Sequence, residues 1–228
     1  MTVLVEDDPS IRKLVEYALS SNSIPVVSFI SGKDAFAALP DKVDLFLLDI
    51  MLPGMDGIEI LHRIRKDEKL RNTPVIMLTA KDSEYDIAKG LDEGADDYIS
   101  KPFGILELIS RVKAAIRRSG FSYESGKNEN LESAGIKLDL SSHKLFIDDK
   151  EVILTSKEFA LLEYFMTHKG VALSRDKLLT EVWGYSYVGE TRTVDVHIKR
   201  LREKIKDHAN WRLTTIWGIG YKFEVFNI

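Results

Sequence analysis

Apolar residues fall along this chain in two rhythms. Up to about residue 119, short apolar runs (Thr2–Val5, Val26–Phe29, Leu45–Leu48, Val75–Leu78 and Asp97–Ile99) alternate with stretches whose apolar positions recur every three or four residues. Strands that are apolar on both faces belong in a covered parallel sheet, so the alternation predicts an α/β domain wrapped by crossover helices. Ile11, Leu14, Val15, Ala18 and Leu19 make one helical stripe, and Ile105, Leu108, Ile109, Val112 and Ile116 make another. Asp8-Pro9 offers the first helix a cap and a first-turn proline. Residues 120–130, GFSYESGKNEN, carry no apolar period and read as a linker. From residue 131 the rhythm changes to short alternating strands (Ile136–Leu140, Lys144–Ile147, Glu151–Leu154), then three helical stretches and a hairpin-like close. Two domains follow, 1–119 and 131–228.

Composition adds mainly exclusions. With no cysteine, disulfides and thiolate zinc sites are out, and a reducing compartment fits. No apolar run approaches the roughly 18 residues of a membrane span, and Glu6, Asp7 and Asp8 interrupt the place where a signal peptide needs its apolar core. A cytoplasmic protein without membrane attachment is expected. The net charge of −4 is uneven: residues 1–119 hold 16 basic and 20 acidic side chains, the remainder 16 of each. Nucleic-acid binding therefore needs a local basic cluster rather than a basic domain.

The chemistry gathers where strands end. Glu6-Asp7 follows the first strand, Asp49 closes the third, Thr79 the fourth and Lys101 the fifth. The carboxyl ends of strands in an open parallel sheet form its ligand crevice, so these distant residues converge. Asp49 leads into Pro53-Gly54 and Asp56-Gly57, turn pairs that leave the acid facing the crevice. Taken singly, an Asp before a turn is a cap and a Lys before Pro102 a solvated side chain; at four sheet exits together they read as a site. Three carboxylates in one crevice repel by several kcal/mol per pair at about 4 Å, and an all-oxygen set favours a hard cation, Mg²⁺ (or Mn²⁺). Lys101 and Thr79 suit phosphoryl oxygens, and the ionised Asp49 can then act as nucleophile toward phosphorus.

VLVEDDPSIR, LFLLDIMLPGMDG, VIMLTAK and GADDYISKPF resemble, in this order, the receiver domain of two-component response regulators. The resemblance implies a five-stranded doubly wound sheet of order 2-1-3-4-5 and phosphorylation of Asp49 by a histidine kinase. It further implies Mg²⁺ between Glu6, Asp7, Asp49 and the Met51 carbonyl, phosphoryl contacts from Thr79 and Lys101, and a cis Lys101-Pro102 bond. In that family the threonine's shift lets an aromatic residue, here Tyr98, turn inward and alter the face of the last two helices and last strand. That face carries Lys89, Asp96, Asp97, Glu107, Arg111 and Arg118, so phosphorylation is expected to drive homodimerisation through them.

The second domain has its own basic cluster. Thr155 and Glu158 form a capping box ahead of a helix that buries Phe159, Leu161, Leu162 and Phe165. Ser174 caps a second helix. The third, TRTVDVHIKRLREKIK, places Val194, Ile198, Leu201 and Ile205 on a core stripe and Arg192, Lys199 and Arg200 opposite, around Val196. With six basic residues against two acidic, it suits a major groove, where Val196 meets a thymine methyl and the cations meet guanine or phosphate. LTSKEFALLEYF, this helix and GIGYKF are similar to the winged-helix output domain of the OmpR/PhoB subfamily, a smaller α+β winged helix-turn-helix fold. The resemblance implies DNA contacts from Arg192, Thr193, Val196, His197, Lys199, Arg200, Arg202 and the wing residue Trp217. Relatives commonly carry arginine at Trp217, entering the minor groove; tryptophan leaves stacking on sugars, packing on the domain, or weaker DNA affinity.

The expected protein is a phosphorylation-controlled transcription regulator that dimerises on double-stranded DNA with repeated half-sites, with a sensor kinase and RNA polymerase as partners. It accepts one phosphoryl group and loses it slowly, without turnover as an enzyme. A phosphorylation-independent regulator with a structural receiver is the alternative. An aspartate-nucleophile phosphatase of the haloacid-dehalogenase kind would need a second Asp where Met51 stands.

Overall fold

The computed structural model of the chain describes residues 1–80, 93–119, 130–140, 142–184 and 192–226. They belong to two compact units, Met1–Gly120 and Phe121–Ile228. Apart from Asn130, the expected linker 120–130 lies outside the described residues, as does the stretch between Ala80 and Glu93, which holds Lys89 of the expected dimer face.

In the first unit β1 (Thr2–Val5), α1 (Pro9–Ser21), β2 (Val26–Phe29), α2 (Gly32–Ala37), β3 (Leu45–Asp49), α3 (Gly57–Lys66), β4 (Val75–Ala80), β5 (Asp97–Lys101) and α4 (Ile105–Ser119) succeed one another. The sheet is parallel throughout, in the order β2-β1-β3-β4-β5. Its central strands are buried end to end: Val3, Leu4 and Val5, Leu45 to Leu48, and Val75 to Leu78 are all inaccessible to water. α1 packs Val15, Ala18 and Leu19 inward, and α4 adds Leu108, Ile109, Val112 and Ala115 to the same core. Leu14 and Ile105, expected on the apolar stripes, stand at the margin and stay largely exposed. Asp8 caps α1, its carboxylate accepting from Ser10 N and Ile11 N at 2.7 and 2.9 Å.

The second unit begins with an antiparallel sheet β6-β7-β8-β9 (Leu131–Ser133, Ile136–Asp139, Lys144–Ile147, Lys150–Val152). α5 (Ser156–Thr167), β10 (Leu173–Ser174), α6 (Arg175–Trp183), α7 (Arg192–Ile205), β11 (Trp211–Ile216) and β12 (Gly220–Val225) follow. β12 lies between β10 and β11 in a three-stranded sheet. One core joins Phe159, Leu162 and Phe165 of α5, Val182 and Trp183 of α6, Val194, Ile198 and Leu201 of α7, and Trp211 and Phe223 of the hairpin. β10 has no two-residue period to announce it. It forms because Gly220 lacks a side chain: a Cβ there would lie 2.1 Å from the Leu173 carbonyl oxygen. This is the α/β receiver architecture and the winged helix-turn-helix expected from the sequence.

Candidate functional site

In the first unit the expected acids meet at the carboxyl edge of the sheet. Glu6 leaves β1 fully buried, Asp49 ends β3 buried, and Asp7 beside Glu6 is exposed. One carboxylate oxygen from each of the three lies within 4.8 Å of the others. Lys101, the last residue of β5, donates from Nζ to Glu6 Oε2 at 2.8 Å and lies 2.9 Å from Asp49 Oδ2. β4 pairs with β5 so that Ala80 opposes Lys101 and Thr79 opposes Ser100, which puts the buried Thr79 at the same edge. Met51 N donates to Asp49 Oδ1 at 3.2 Å. The Lys101-Pro102 bond is cis.

The electrostatics follow from this crowding. Burial pushes the Glu6 carboxyl above the usual carboxylate range, and the hydrogen bond from Lys101 offsets only part of it. Burial works against the Lys101 ammonium too, but its bonds to Glu6 and Asp49 prevail and hold it above the ordinary lysine value. Three carboxylates gather where one ammonium pairs with two of them, Glu6 and Asp49, an excess of negative charge presented entirely by oxygen. That donor set fits a hard divalent cation and does not fit a soft one.

Two residues that the sequence pattern did not single out position these groups. Arg12, one turn into α1, donates from one guanidinium nitrogen to the backbone carbonyls of Glu6 and Asp7 at 2.7 and 3.1 Å, tying the acidic pair to the helix. Gly57, the first residue of α3, faces β3 so closely that a Cβ would lie 2.2 Å from the Asp49 carbonyl oxygen. Only its place in the turn pair Asp56-Gly57 hinted at this; Arg12 closes the quoted stretch VLVEDDPSIR, but nothing in that stretch gave it a role.

The residues of the expected dimer face are partly spent inside the chain. Asp96 is buried and accepts from Arg65 and from Val75 N, at 2.7 and 2.9 Å, which takes it off the surface. Arg111 reaches Asp97 at 3.1 Å and Glu107 at 2.8 Å. Tyr98, next to Asp97 on β5, is half-buried. Lys89 and the side chain of Arg118 lie outside the described residues.

On α7 the expected DNA contacts separate into two sets. Thr193 and His197 are buried, His197 with its ring centre 5.2 Å from that of Trp183, because both fall on the core side of the helix beside Val194 and Ile198. Arg200 turns toward the buried carboxylate of Glu158 at 3.6 Å, and Lys204 reaches the same group at 2.5 Å. Arg202 donates to the Leu213 carbonyl at 2.8 Å and the Thr215 hydroxyl at 2.9 Å. These positions brace the domain. Lys199 is exposed, Val196 is half-buried, and Trp217 at the hairpin tip is 91% exposed. The Arg192 side chain lies outside the described residues. Among the described residues no helix is long and apolar enough to cross a membrane.

Residues 2–113 match the model of the response regulator receiver domain, and residues 149–223 match that of the C-terminal domain of transcriptional regulatory proteins. The chain is 41% identical to the alkaline phosphatase synthesis transcriptional regulatory protein PhoP of Bacillus subtilis, with 97% of this chain and 95% of that protein aligned. It is 39% identical to the transcriptional regulatory protein SrrA of Staphylococcus aureus, over 98% and 95%. Among solved structures, the response regulator DrrB of Thermotoga maritima, described as an OmpR/PhoB homologue, is 32% identical at a TM-score of 0.51 and 98% coverage of both chains. A point mutant of RitR, at 24% identity, shares the fold with a TM-score of 0.71 over 97% of each chain.

Proposed function

This chain belongs to the two-component response regulators of the OmpR/PhoB type, a receiver joined to a DNA-binding domain, and from that premise we propose that Asp49 is the phosphoacceptor through which DNA binding is controlled. The observation that carries this reading is the Lys101 ammonium held between Glu6 and Asp49 at 2.8 and 2.9 Å, with Asp7 completing the acid set.

Glu6, Asp7, Asp49 and the Met51 carbonyl would hold Mg²⁺ or Mn²⁺, whose charge, when bound, neutralises oxygens of the transferring group. Asp49 Oδ attacks phosphorus; the new O–P bond forms as the N–P bond to the kinase histidine breaks, and that nitrogen takes up a proton. Lys101 needs little movement to follow the charge from Asp49 onto the phosphoryl oxygens. Thr79, at the same edge, donates its hydroxyl to another. Water removes the group slowly, so the chain is a switch rather than a turnover enzyme.

The new acceptor oxygens bias Thr79 and Tyr98 toward a second arrangement of the adjoining face. Asp97, Glu107 and Arg111 there exchange internal pairs for pairs across a homodimer, joined by Lys89 and Arg118. Two α7 helices then enter successive major grooves of repeated half-sites, with Arg192, Val196 and Lys199 toward the bases and phosphates. A sensor histidine kinase supplies the group, RNA polymerase is a further partner, and the work is cytoplasmic. The test mixes the full chain with Mg²⁺ and acetyl phosphate, follows oligomer size and duplex retention, and runs Asp49→Ala beside it. A shift to dimer and tighter DNA retention in the wild type alone are expected; equal behaviour of the two proteins overturns the switch.

A further inference from the structure

Two acids of the receiver crevice stand on a short bend. β1 ends at Val5 and α1 starts at Pro9, so Glu6, Asp7 and Asp8 carry the chain from sheet to helix in three residues. Glu6 is fully buried, and its N–H still joins the sheet by donating to the Phe29 carbonyl at 3.1 Å. Beyond that bond the chain leaves the ladder, and Pro9 has no N–H to offer. A buried carbonyl left without a donor costs about as much as a lost hydrogen bond.

Arg12 answers all three carbonyls of the bend. Its Nη1 donates to Glu6 O at 2.7 Å and to Asp7 O at 3.1 Å, and its main-chain N donates to Asp8 O at 3.0 Å. The carboxylates are held from elsewhere. Asp8 Oδ1 accepts from Ser10 N and Ile11 N, while Glu6 takes Asp8 N at 3.3 Å on one oxygen and Lys101 at 2.8 Å on the other. Among the described residues the Arg12 guanidinium pairs with main-chain oxygen and with no carboxylate. It therefore fixes the frame on which Glu6 and Asp7 are mounted and leaves their side-chain oxygens to other partners. Ligands on a loose frame must be ordered when an ion arrives, and that ordering subtracts from affinity.

We propose that Arg12 is the positioning residue of the cation site: by holding the carbonyls of Glu6 and Asp7 it orders their carboxylates and so sets the affinity for the divalent ion. The proposal rests on the reading of Glu6, Asp7 and Asp49 as a Mg²⁺ site and deepens it. The sign of one substitution separates this role from that of a mere neighbouring charge. A guanidinium repels a dication, so by charge alone Arg12→Met binds the ion more tightly. Loss of the tether makes it bind more weakly, and groups that orient metal ligands typically govern about ten- to a hundredfold of the affinity. The tether outweighs the repulsion, which water and salt screen.

Mn²⁺ is the probe, because the free ion is counted directly by paramagnetic resonance. The full chain is titrated as wild type, Arg12→Met, Arg12→Gln and Asp49→Ala, and the Mg²⁺ dependence of phosphoryl uptake from acetyl phosphate is followed beside it. The expected result is a Mn²⁺ dissociation constant about tenfold higher in Arg12→Met. Arg12→Gln keeps N–H donors without the charge and falls between that variant and wild type. The Mg²⁺ concentration for half-maximal uptake rises by the same factor, and the maximal rate falls by less. Should Arg12→Met fail to fold, Arg12→Gln decides by the same sign. Equal or tighter Mn²⁺ binding by the Arg12 variants, or a lost maximal rate with the half-maximal Mg²⁺ unmoved, overturns the role of Arg12 while the acid site stands. Mn²⁺ held as tightly by Asp49→Ala as by wild type, or not held by wild type, overturns the site and the proposal together.

Discussion

At the scale of single residues, the receiver site depends on backbone positions as much as on its acids. Gly57 allows α3 to start against the end of β3, so in Gly57→Ala either the helix start or the Asp49 carbonyl must move. The expected outcome is a loss of about 1–3 kcal/mol in urea unfolding together with slower phosphoryl uptake from acetyl phosphate. Normal uptake on a destabilised protein would confine Gly57 to a packing role. This kind of dependence is hard to read in advance. Glu6, Asp49 and Lys101 are legible in the sequence because each ends a strand, and strand ends of a parallel sheet share one crevice. Arg12 serves backbone carbonyls, and although it closes the stretch VLVEDDPSIR, no periodicity assigns a role to a side chain whose partners are main-chain atoms. The same blindness applies on α7, where counting charge treats Arg200 and Arg202 like Lys199, although the first two face Glu158 and the Leu213 carbonyl.

Among elements, two fasteners join α7 to the rest of its domain. Glu158, in the first turn of α5, receives Lys204 and Thr155 N and lies beside Arg200, a buried carboxylate answered from two directions. Removing it in Glu158→Ala takes a buried carboxylate away from the half-buried Arg200 and Lys204 and from Thr155 N, and should cost about 3 kcal/mol, read as a lower unfolding midpoint of the second unit. A change below about 0.5 kcal/mol would show the pairs to be solvated. The second fastener is Tyr221, whose hydroxyl bridges Asp195 and Arg175. Tyr221→Phe keeps the ring and its two guanidinium neighbours, Arg175 and Arg202, but frees the hairpin from Asp195; DNA retention should fall about fivefold with little change in melting temperature. Retention equal to wild type would mean that ring packing alone positions the wing. Elements with long apolar stripes, α1, α4, α5 and α7, are legible from period alone. α2 is six residues long, too short to show a stripe, and β10 exists only as a partner for β12, so tertiary pairing rather than local pattern creates it.

For the whole molecule, ligands of opposite charge belong to different units: a divalent cation to the acid cluster of the first and polyanionic DNA to the second. Calorimetry of the full chain should therefore show Mg²⁺ raising the unfolding temperature of the receiver, by about 2.7 kcal/mol of stabilisation at a hundredfold excess over its dissociation constant. Chelation should reverse it, and in Asp49→Ala the gain should shrink. A duplex should raise the other transition. Mg²⁺ acting equally on both transitions would contradict a built cation site. The uneven charge of the halves already points this way in the sequence, since the acidic excess is confined to residues 1–119 and the basic excess to a single helix. The central claim is that one carboxylate receives the phosphoryl group. It is tested most directly by treating the full chain with Mg²⁺ and acetyl phosphate, trapping the acyl phosphate by borohydride reduction, and mapping peptides by mass. Asp49 alone should be converted to homoserine; reduction at Glu6, Asp7 or any other carboxylate, or an unaltered Asp49 in a fully treated chain, would overturn its role as phosphoacceptor.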